Sequence, residues 1–222
     1  MLGVAAAQSS YILDDKKPSV PQPTNSVSGG VTNNGTFAEL KVKAEKGDAN
    51  TQLQIGRDYF FGQKNYAEGL KWFRKAAEQG SSEAQSLLGD IYWGCKDVAQ
   101  DYSEAAKWYR KAAEQGDVGA QFNLGVCYDN GQGVTQDYTE AIKWFLKAAE
   151  KGDANAQYDL GQMCLKGKGV PKDYSEAAKW YHKAAEQGQV DSQYNLGLNY
   201  ANGQGVPQND VEAYIWFSLA AA

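Results

Sequence analysis

The side chains able to do chemistry are few, and they are spaced for something else. His182 is the only histidine among the 222 residues, so a Ser-His-Asp or Cys-His relay would rest on one imidazole. Positions 36, 72 and 108 residues earlier hold Leu146, Arg110 and Arg74, a tolerance that marks a surface slot. Cys95, Cys127 and Cys164 form no C-x-x-C pair, so no zinc site or disulfide framework is spelled out; they read as small packing residues. Glu104, Glu140 and Glu176 set carboxylates 36 residues apart. Each follows an Asp by three positions, the pattern of a helix capping box. Gly167-Lys168 resembles the start of a phosphate loop, but Gly169 stands where Ser or Thr is needed and no strand precedes it. It reads as a turn. No catalytic residue, metal or cofactor is expected.

What must position all of these is a repeat. Units open at Gly47, Gly80, Gly116, Gly152 and Gly188, and together cover 176 of 222 residues. The first spacing is 33 residues and the others 36. A first helix carries Ala84-Gln85, Leu88-Gly89 and Tyr92, or in the next unit Ala120-Gln121, Leu124-Gly125 and Tyr128. These positions share one face of a 3.6-residue helix. Gly56, Gly89, Gly125, Gly161 and Gly197 recur there, although mid-helix Gly costs about 1 kcal/mol against Ala. That predicts a partner helix too close for a Cβ.

The second helix opens on Asn65/Glu68, Asp101/Glu104, Asp137/Glu140, Asp173/Glu176 and Asn209/Glu212, all read as capping boxes. It carries Trp72, Trp108, Trp144, Trp180 or Trp216 and an Ala-Ala pair near its end. A following Gly suits the left-handed position that ends a helix. The links "NGQGV" and "KGKGV" supply glycines for a positive-φ turn. Unit one shortens this link to Gly62-Gln63-Lys64, and unit two puts Cys95 and Asp97 in it.

Outside the repeats, residues 1–35 are expected to be a disordered leader rich in Ser, Thr, Pro, Asn and Gly. Ala5–Ala7 has the look of an export-signal remnant, which favours a periplasmic or secreted setting over a cytoplasmic one. Asn34-Gly35-Thr36 is a glycosylation sequon in a eukaryotic secretory setting. Thr36 and Glu39 predict a capping helix over 36–46, ahead of repeats at 47–79, 80–115, 116–151, 152–187 and 188–222. A net charge of −5 argues against nucleic acid as a partner. No apolar run reaches membrane-spanning length.

Ala120, Leu124, Gly125, Tyr128, Gly131, Gly133 and Val134, continuing to Asp137, Ala141, Trp144, Ala148, Ala149 and Gly152, resemble the Sel-one-like repeat family, relatives of the tetratricopeptide repeats. The resemblance implies an all-α fold, a right-handed α/α superhelix of about five helix-turn-helix repeats. It further implies a bacterial adaptor or scaffold for protein complexes, and names no partner. Cysteine-rich relatives linked to penicillin binding or β-lactamase activity suggest the alternative, an envelope enzyme or binder acting on peptidoglycan or β-lactams. The S-x-x-K, S-D-N and K-T-G motifs of the serine enzymes are absent here. The ending "VEAYIWFSLAAA" resembles terminal repeats of that family, yet Ile215 replaces the Lys of the other four units. A solenoid end needs a polar cap, so the expectation is a chain cut from something longer.

Function is therefore sought where the units differ. Helical stepping off the constant frame leaves an inner stripe on the first helices, facing the groove of the superhelix. It includes Arg57 and Phe60, Asp90 and Trp93, Phe122 and Asp129, Tyr158 and Gln162, and Tyr194. These nine are the candidate contacts for a peptide or protein segment, the aromatics serving as anchors. Phe122, Tyr158 and Tyr194 could equally pack between repeats, whereas Phe60 and Trp93 are expected to face the ligand or to sit in packing with equal weight.

Overall fold

The computed structural model describes residues 36–222; the leader, the export-signal remnant and Asn34 of the sequon lie outside the described residues. Helix α1 (Phe37–Glu45) begins after Thr36, whose side chain and that of Glu39 cap each other's backbone reciprocally. Five helix pairs follow. The A helices are α2 (Ala49–Arg57), α4 (Ser82–Gly94), α6 (Val118–Asn130), α8 (Ala154–Lys166) and α10 (Val190–Asn202). The B helices are α3 (Tyr66–Glu78), α5 (Tyr102–Glu114), α7 (Tyr138–Glu150), α9 (Tyr174–Glu186) and α11 (Asp210–Ala220). Every A helix packs on its own B helix and on the helix before it, and no strand occurs among the described residues. The result is a helical solenoid. No described helix is long and apolar enough to cross a membrane.

The recurring glycine has the expected cause. A Cβ on Gly89, Gly125 or Gly161 would lie 2.4 to 2.6 Å from the ring of Tyr109, Phe145 or Tyr181, the aromatic that follows the Trp of the same repeat. Each A helix thus lies directly on a B-helix ring. Trp108, Trp144 and the Ala-Ala pairs of repeats one to three lie in one core from Leu53 to Met163, while Trp72 packs in a smaller cluster with Leu40, Ala44 and Ile55. A Lys one turn later covers each indole, as Lys75, Lys111, Lys147 and Lys183 do at 3.9 to 4.3 Å from the ring centre.

The B-helix caps form only in half. Asp101, Asp137 and Asp173 accept from the backbone N–H groups two and three residues on. Their Glu partners turn outward to Lys107, Lys143 and Lys179 instead of reaching back. Exposed i,i+3 pairs hold the carboxylates in solvent, so the expected reciprocal box is replaced by a single cap plus a surface ion pair.

A glutamine seam joins successive repeats. Gln85, Gln121, Gln157 and Gln193 each donate through Nε2 to the carbonyl of the last helical Ala of the preceding B helix, at 2.8 to 3.2 Å. Gln52 does the same to Ala44 of α1, so α1 stands in for a preceding B helix. The acceptor oxygens of Gln52, Gln85 and Gln157 take a bond from Gln79, Gln115 and Gln187.

Repeat one absorbs its three missing residues as a π-helical turn over Asp58–Gly62, followed by Lys64 at φ +55. The Asn65 cap then bonds Tyr59, six residues back, where Asp101 bonds Tyr92 nine residues back. In repeat two, Asp97 takes the place of Gly133, and burial, with the Asp97 carboxylate adding, pushes the Tyr66 phenol up. A Cβ on Gly133 itself would fall 1.9 Å from the Tyr102 carbonyl oxygen, so ordinary links need glycine where they rest on the previous B helix.

Candidate functional site

α4 and α6 approach each other directly, and the stripe read from the sequence runs along the A helices. Three of the sequence-derived residues form one series. Phe122, Tyr158 and Tyr194 lie one repeat apart, each tilted against the B-helix ring beneath it: Phe145 at 5.8 Å, Tyr181 at 6.0 Å and Phe217 at 5.5 Å. Phe122 and Tyr158 pack against the core clusters beneath them. Tyr194 keeps 49 % of its surface exposed, and the other two are half-buried.

Phe60 and Trp93 do not join that series. They are 2 % and 4 % exposed, and the structure places both between helices. Phe60 meets Tyr66 edge-on at 5.0 Å, and Trp93 meets Tyr102 likewise at 5.0 Å. The reason is the Tyr that opens α3, α5, α7 and α9, which offers a ring to a large side chain near the end of the A helix. For Phe60 a second cause acts. The π turn drives its backbone onto α3, where a Cβ on Gly69 would lie 2.6 Å from the Phe60 Cβ. Gly69 stands where other repeats have Ala105, Ala141 and Ala177, a signal in the sequence that marks Phe60 as packed. Truncating either ring opens a core cavity rather than a groove.

Asp90 is also inside, only 7 % exposed. Its Oδ1 accepts from the Tyr109 hydroxyl at 2.9 Å and from Asn123 Nδ2 at 3.3 Å. Burial pushes its carboxyl up to about 7, the Tyr109 bond opposing and the Asp117 charge adding. The identity of this residue follows the ring below it. Arg57, Val126 and Leu198 stand over Phe73, Phe145 and Phe217, whereas Asp90 stands over Tyr109 and Gln162 over Tyr181. A buried phenol asks for an acceptor. Asp90 supplies one; Gln162 donates instead to Tyr158 at 3.1 Å, and the Tyr181 hydroxyl is left buried without a partner.

Along the groove, neighbouring repeats are tied by polar contacts. Arg57 pairs with Glu83 at 2.6 Å, both largely exposed. Ser86 donates to Asp117 at 3.5 Å, and Lys168 reaches Asp129 at 3.4 Å. Burial pushes the Tyr158 phenol up, the Asp191 charge adding, and Asn195 donates to the Asp191 carbonyl at 2.8 Å. Asn123 and Lys168 were not legible as members of this stripe, because each reaches back to the repeat before its own. The His182 slot is also more than surface. Arg74 and Arg110 donate to the hydroxyls of Tyr92 and Tyr128 on the next A helix, and His182 meets Trp216 edge-on at 5.6 Å. No group of three or more His, Cys, Asp or Glu among the described residues could hold a metal ion. Cys127 is buried, its thiol pushed by burial up to about 12, which removes it from nucleophilic chemistry.

A solenoid of like helix pairs with a variable inner face defines a repeat scaffold. The Sel1 repeat profile matches five times, over residues 49–81, 82–117, 118–153, 154–189 and 190–222. The chain belongs to the Sel1 repeat family, whose members are typically protein-interaction scaffolds. The family frame starts each repeat two residues after the glycines that mark it in the sequence. Among solved structures, c5321, a protective antigen of uropathogenic Escherichia coli with an SLR fold, is 45 % identical with a TM-score of 0.79, over 83 % of this chain and 40 % of its own. A Sel1 repeat protein from Oxalobacter formigenes is 35 % identical with a TM-score of 0.79, over 83 % of this chain and 77 % of its own. A curated relative, an ERAD-associated E3 ubiquitin-protein ligase component HRD3A from Arabidopsis thaliana, is 33 % identical over 39 % of this chain. The chain spans 15 % of the length of that relative.

Proposed function

We propose that this chain is a non-catalytic adaptor that holds an extended peptide or protein segment along the groove of repeats three to five. Phe122, Tyr158 and Tyr194 are the anchors, with Gln162 and Asp129 as polar contacts beside them. Arg57 extends the surface toward the first repeat. Phe60, Trp93 and Asp90 support the groove from beneath and touch no ligand. The observation that carries this reading is the series of three rings in register, each fixed by a ring below and only partly buried. Rigid aromatics lose little entropy on binding and dominate many interfaces.

The test is capture from the native host by crosslinking, comparing the chain with a Tyr158→Ala/Tyr194→Ala variant and with Lys107→Ala on the outer face. The double variant is expected to lose most of the captured protein while Lys107→Ala keeps it. Equal capture by all three sinks the groove assignment.

A further inference from the structure

Two B helices press a phenol against their A helix where the other three press a phenyl ring. Tyr109 and Tyr181 are the phenols, and Phe73, Phe145 and Phe217 take the same place in repeats one, three and five. Both phenol rings run under the recurring glycine, 2.4 Å from a Cβ built on Gly89 and 2.6 Å from one built on Gly161. Their hydroxyls therefore reach matching points beneath the stripe.

Repeat two shows what such a hydroxyl needs. Asp90, the residue after Gly89, accepts from Tyr109 at 2.9 Å, and Asn123 of the next A helix closes on the same oxygen at 3.3 Å. In repeat four both groups are turned elsewhere. Gln162, the residue after Gly161, donates to the Tyr158 hydroxyl at 3.1 Å. Asn195 stands where Asn123 stands in its repeat, and it donates to the Asp191 carbonyl of its own helix at 2.8 Å. Tyr181 is 0 % exposed, and its hydroxyl has no hydrogen-bond partner. A buried O–H without an acceptor keeps the full cost of leaving water. The place of the absent acceptor lies under Gln162, which is only half-buried and sits on the stripe itself.

We infer that repeat four carries a subsite for a neutral carboxamide, the side chain of an Asn or Gln in the bound segment. Its carbonyl oxygen accepts from the Tyr181 hydroxyl as Asp90 accepts from Tyr109. Its NH2 group donates to Gln162 Oε1 once that side chain has swung aside. The inference rests on the groove reading above and gives the middle anchor, Tyr158, a chemical preference. A side chain is required because the Tyr158 ring lies over Tyr181, with centroids 6.0 Å apart, and a backbone passing above it runs too high. A carboxylate suits the place less. The Asp191 charge already adds to burial in pushing the Tyr158 phenol up, and an entering carboxylate would meet that charge while losing its own hydration. A hydrocarbon side chain would leave the phenol unmatched, and sites built to hydrogen-bond a ligand reject analogues that cannot.

Propionamide is the probe, added to the whole chain carrying 13C at the Cζ of its tyrosines, a nucleus that senses hydrogen bonding by the attached hydroxyl. Tyr181→Phe assigns the resonance. That variant is expected to keep or raise the thermal midpoint, because the hydroxyl has no bond to lose. Propionamide is expected to give a saturable shift at Tyr181 and none at Tyr109, which Asp90 already satisfies. Propionate is expected to move neither. Gln162→Asp installs the arrangement of repeat two, so it should move Tyr181 toward the Tyr109 position without probe and abolish the response. A Tyr181 resonance that propionamide leaves in place overturns the inference, and so does an equal response to propionate. A lowered midpoint in Tyr181→Phe overturns it too, since the hydroxyl would then already be satisfied by water. Loss of capture by Tyr158→Ala/Tyr194→Ala with no propionamide response removes the subsite alone. A propionamide response with capture unchanged in that variant removes the groove reading instead.

Discussion

Asp90 shows how one side chain couples packing to pH. Its carboxyl titrates in the fold near 7, up from the ordinary carboxylate value of 3.8, because burial opposes the charge. Between those values the folded chain keeps a proton that the unfolded chain has released. Stability therefore falls as pH rises from about 4 to about 7 and is level above that. Asp90→Asn has the same shape and still accepts from Tyr109 and Asn123 through its carbonyl oxygen. It is expected to raise the thermal midpoint at pH 8 and to raise it much less at pH 4.5. Melting curves of both proteins at the two pH values check this; a parallel pH dependence in the variant rules Asp90 out as the cause. Asp90 also shows where the sequence stopped being readable. A helical wheel assigns it to the groove, whereas the structure buries it. The wheel cannot show that Asn123 of the next repeat lies across it, or that Tyr109 lies under it. Both facts depend on how closely repeats stack. The constant frame was legible because each Gly89-type glycine and each Trp108-type indole is repeated in register. Phe60 and Trp93 were not, since their place changes residue from repeat to repeat and only the neighbouring Tyr66, Tyr102 and Gly69 reveal the packing.

At the scale of elements, the seams between repeats follow one design with a single fault. Three buried glutamines both donate to a helix-end carbonyl and accept from a second glutamine. At the boundary of repeats three and four the second glutamine is replaced by Lys151, which turns away to the Gly116 carbonyl at 2.7 Å. Gln121 Oε1 is left buried with no partner. An unmet buried acceptor costs more than a made bond returns, so this seam is weaker than its neighbours. Lys151→Gln supplies the missing donor and is expected to stabilise the chain by about 0.5–1.5 kcal/mol in urea unfolding. Gln115→Lys transplants the fault to the boundary of repeats two and three and should cost a similar amount. No change in either direction means that solvent already satisfies Gln121. The sequence printed this ladder plainly as a Gln in the first turn of each A helix, after Ala in three of the five. Its role stayed hidden because the partner glutamine is 27 or 30 residues away and meets it only after the helices stack.

Over the whole molecule, each repeat touches only its neighbours, so stability is a sum of local terms rather than the property of one central core. The position of a residue in the array then decides how far its loss is felt. Trp108 is 7 % exposed and lies in the interior, in one core that runs from Leu53 to Met163. Trp216 is half-buried, belongs to a smaller cluster around Tyr181 and Leu196, and is flanked by one repeat alone. Trp108→Ala is expected to cost about 3–5 kcal/mol, as large truncations inside a core do. Because α5 holds α4 on one side and α6 on the other, hydrogen exchange should accelerate in the helices of repeats two and three together. Trp216→Ala should cost less and speed exchange in α10 and α11 only, leaving α4 to α7 as protected as before. Equal and global loss of protection in both variants would mean that the array unfolds as a single cooperative unit, and the nearest-neighbour reading would fail. If the graded result holds, a ligand anchored across Phe122, Tyr158 and Tyr194 would bridge three locally stabilised repeats. Its binding would then protect repeats three to five most and repeat one least, which ties the groove to the solenoid's own energetics.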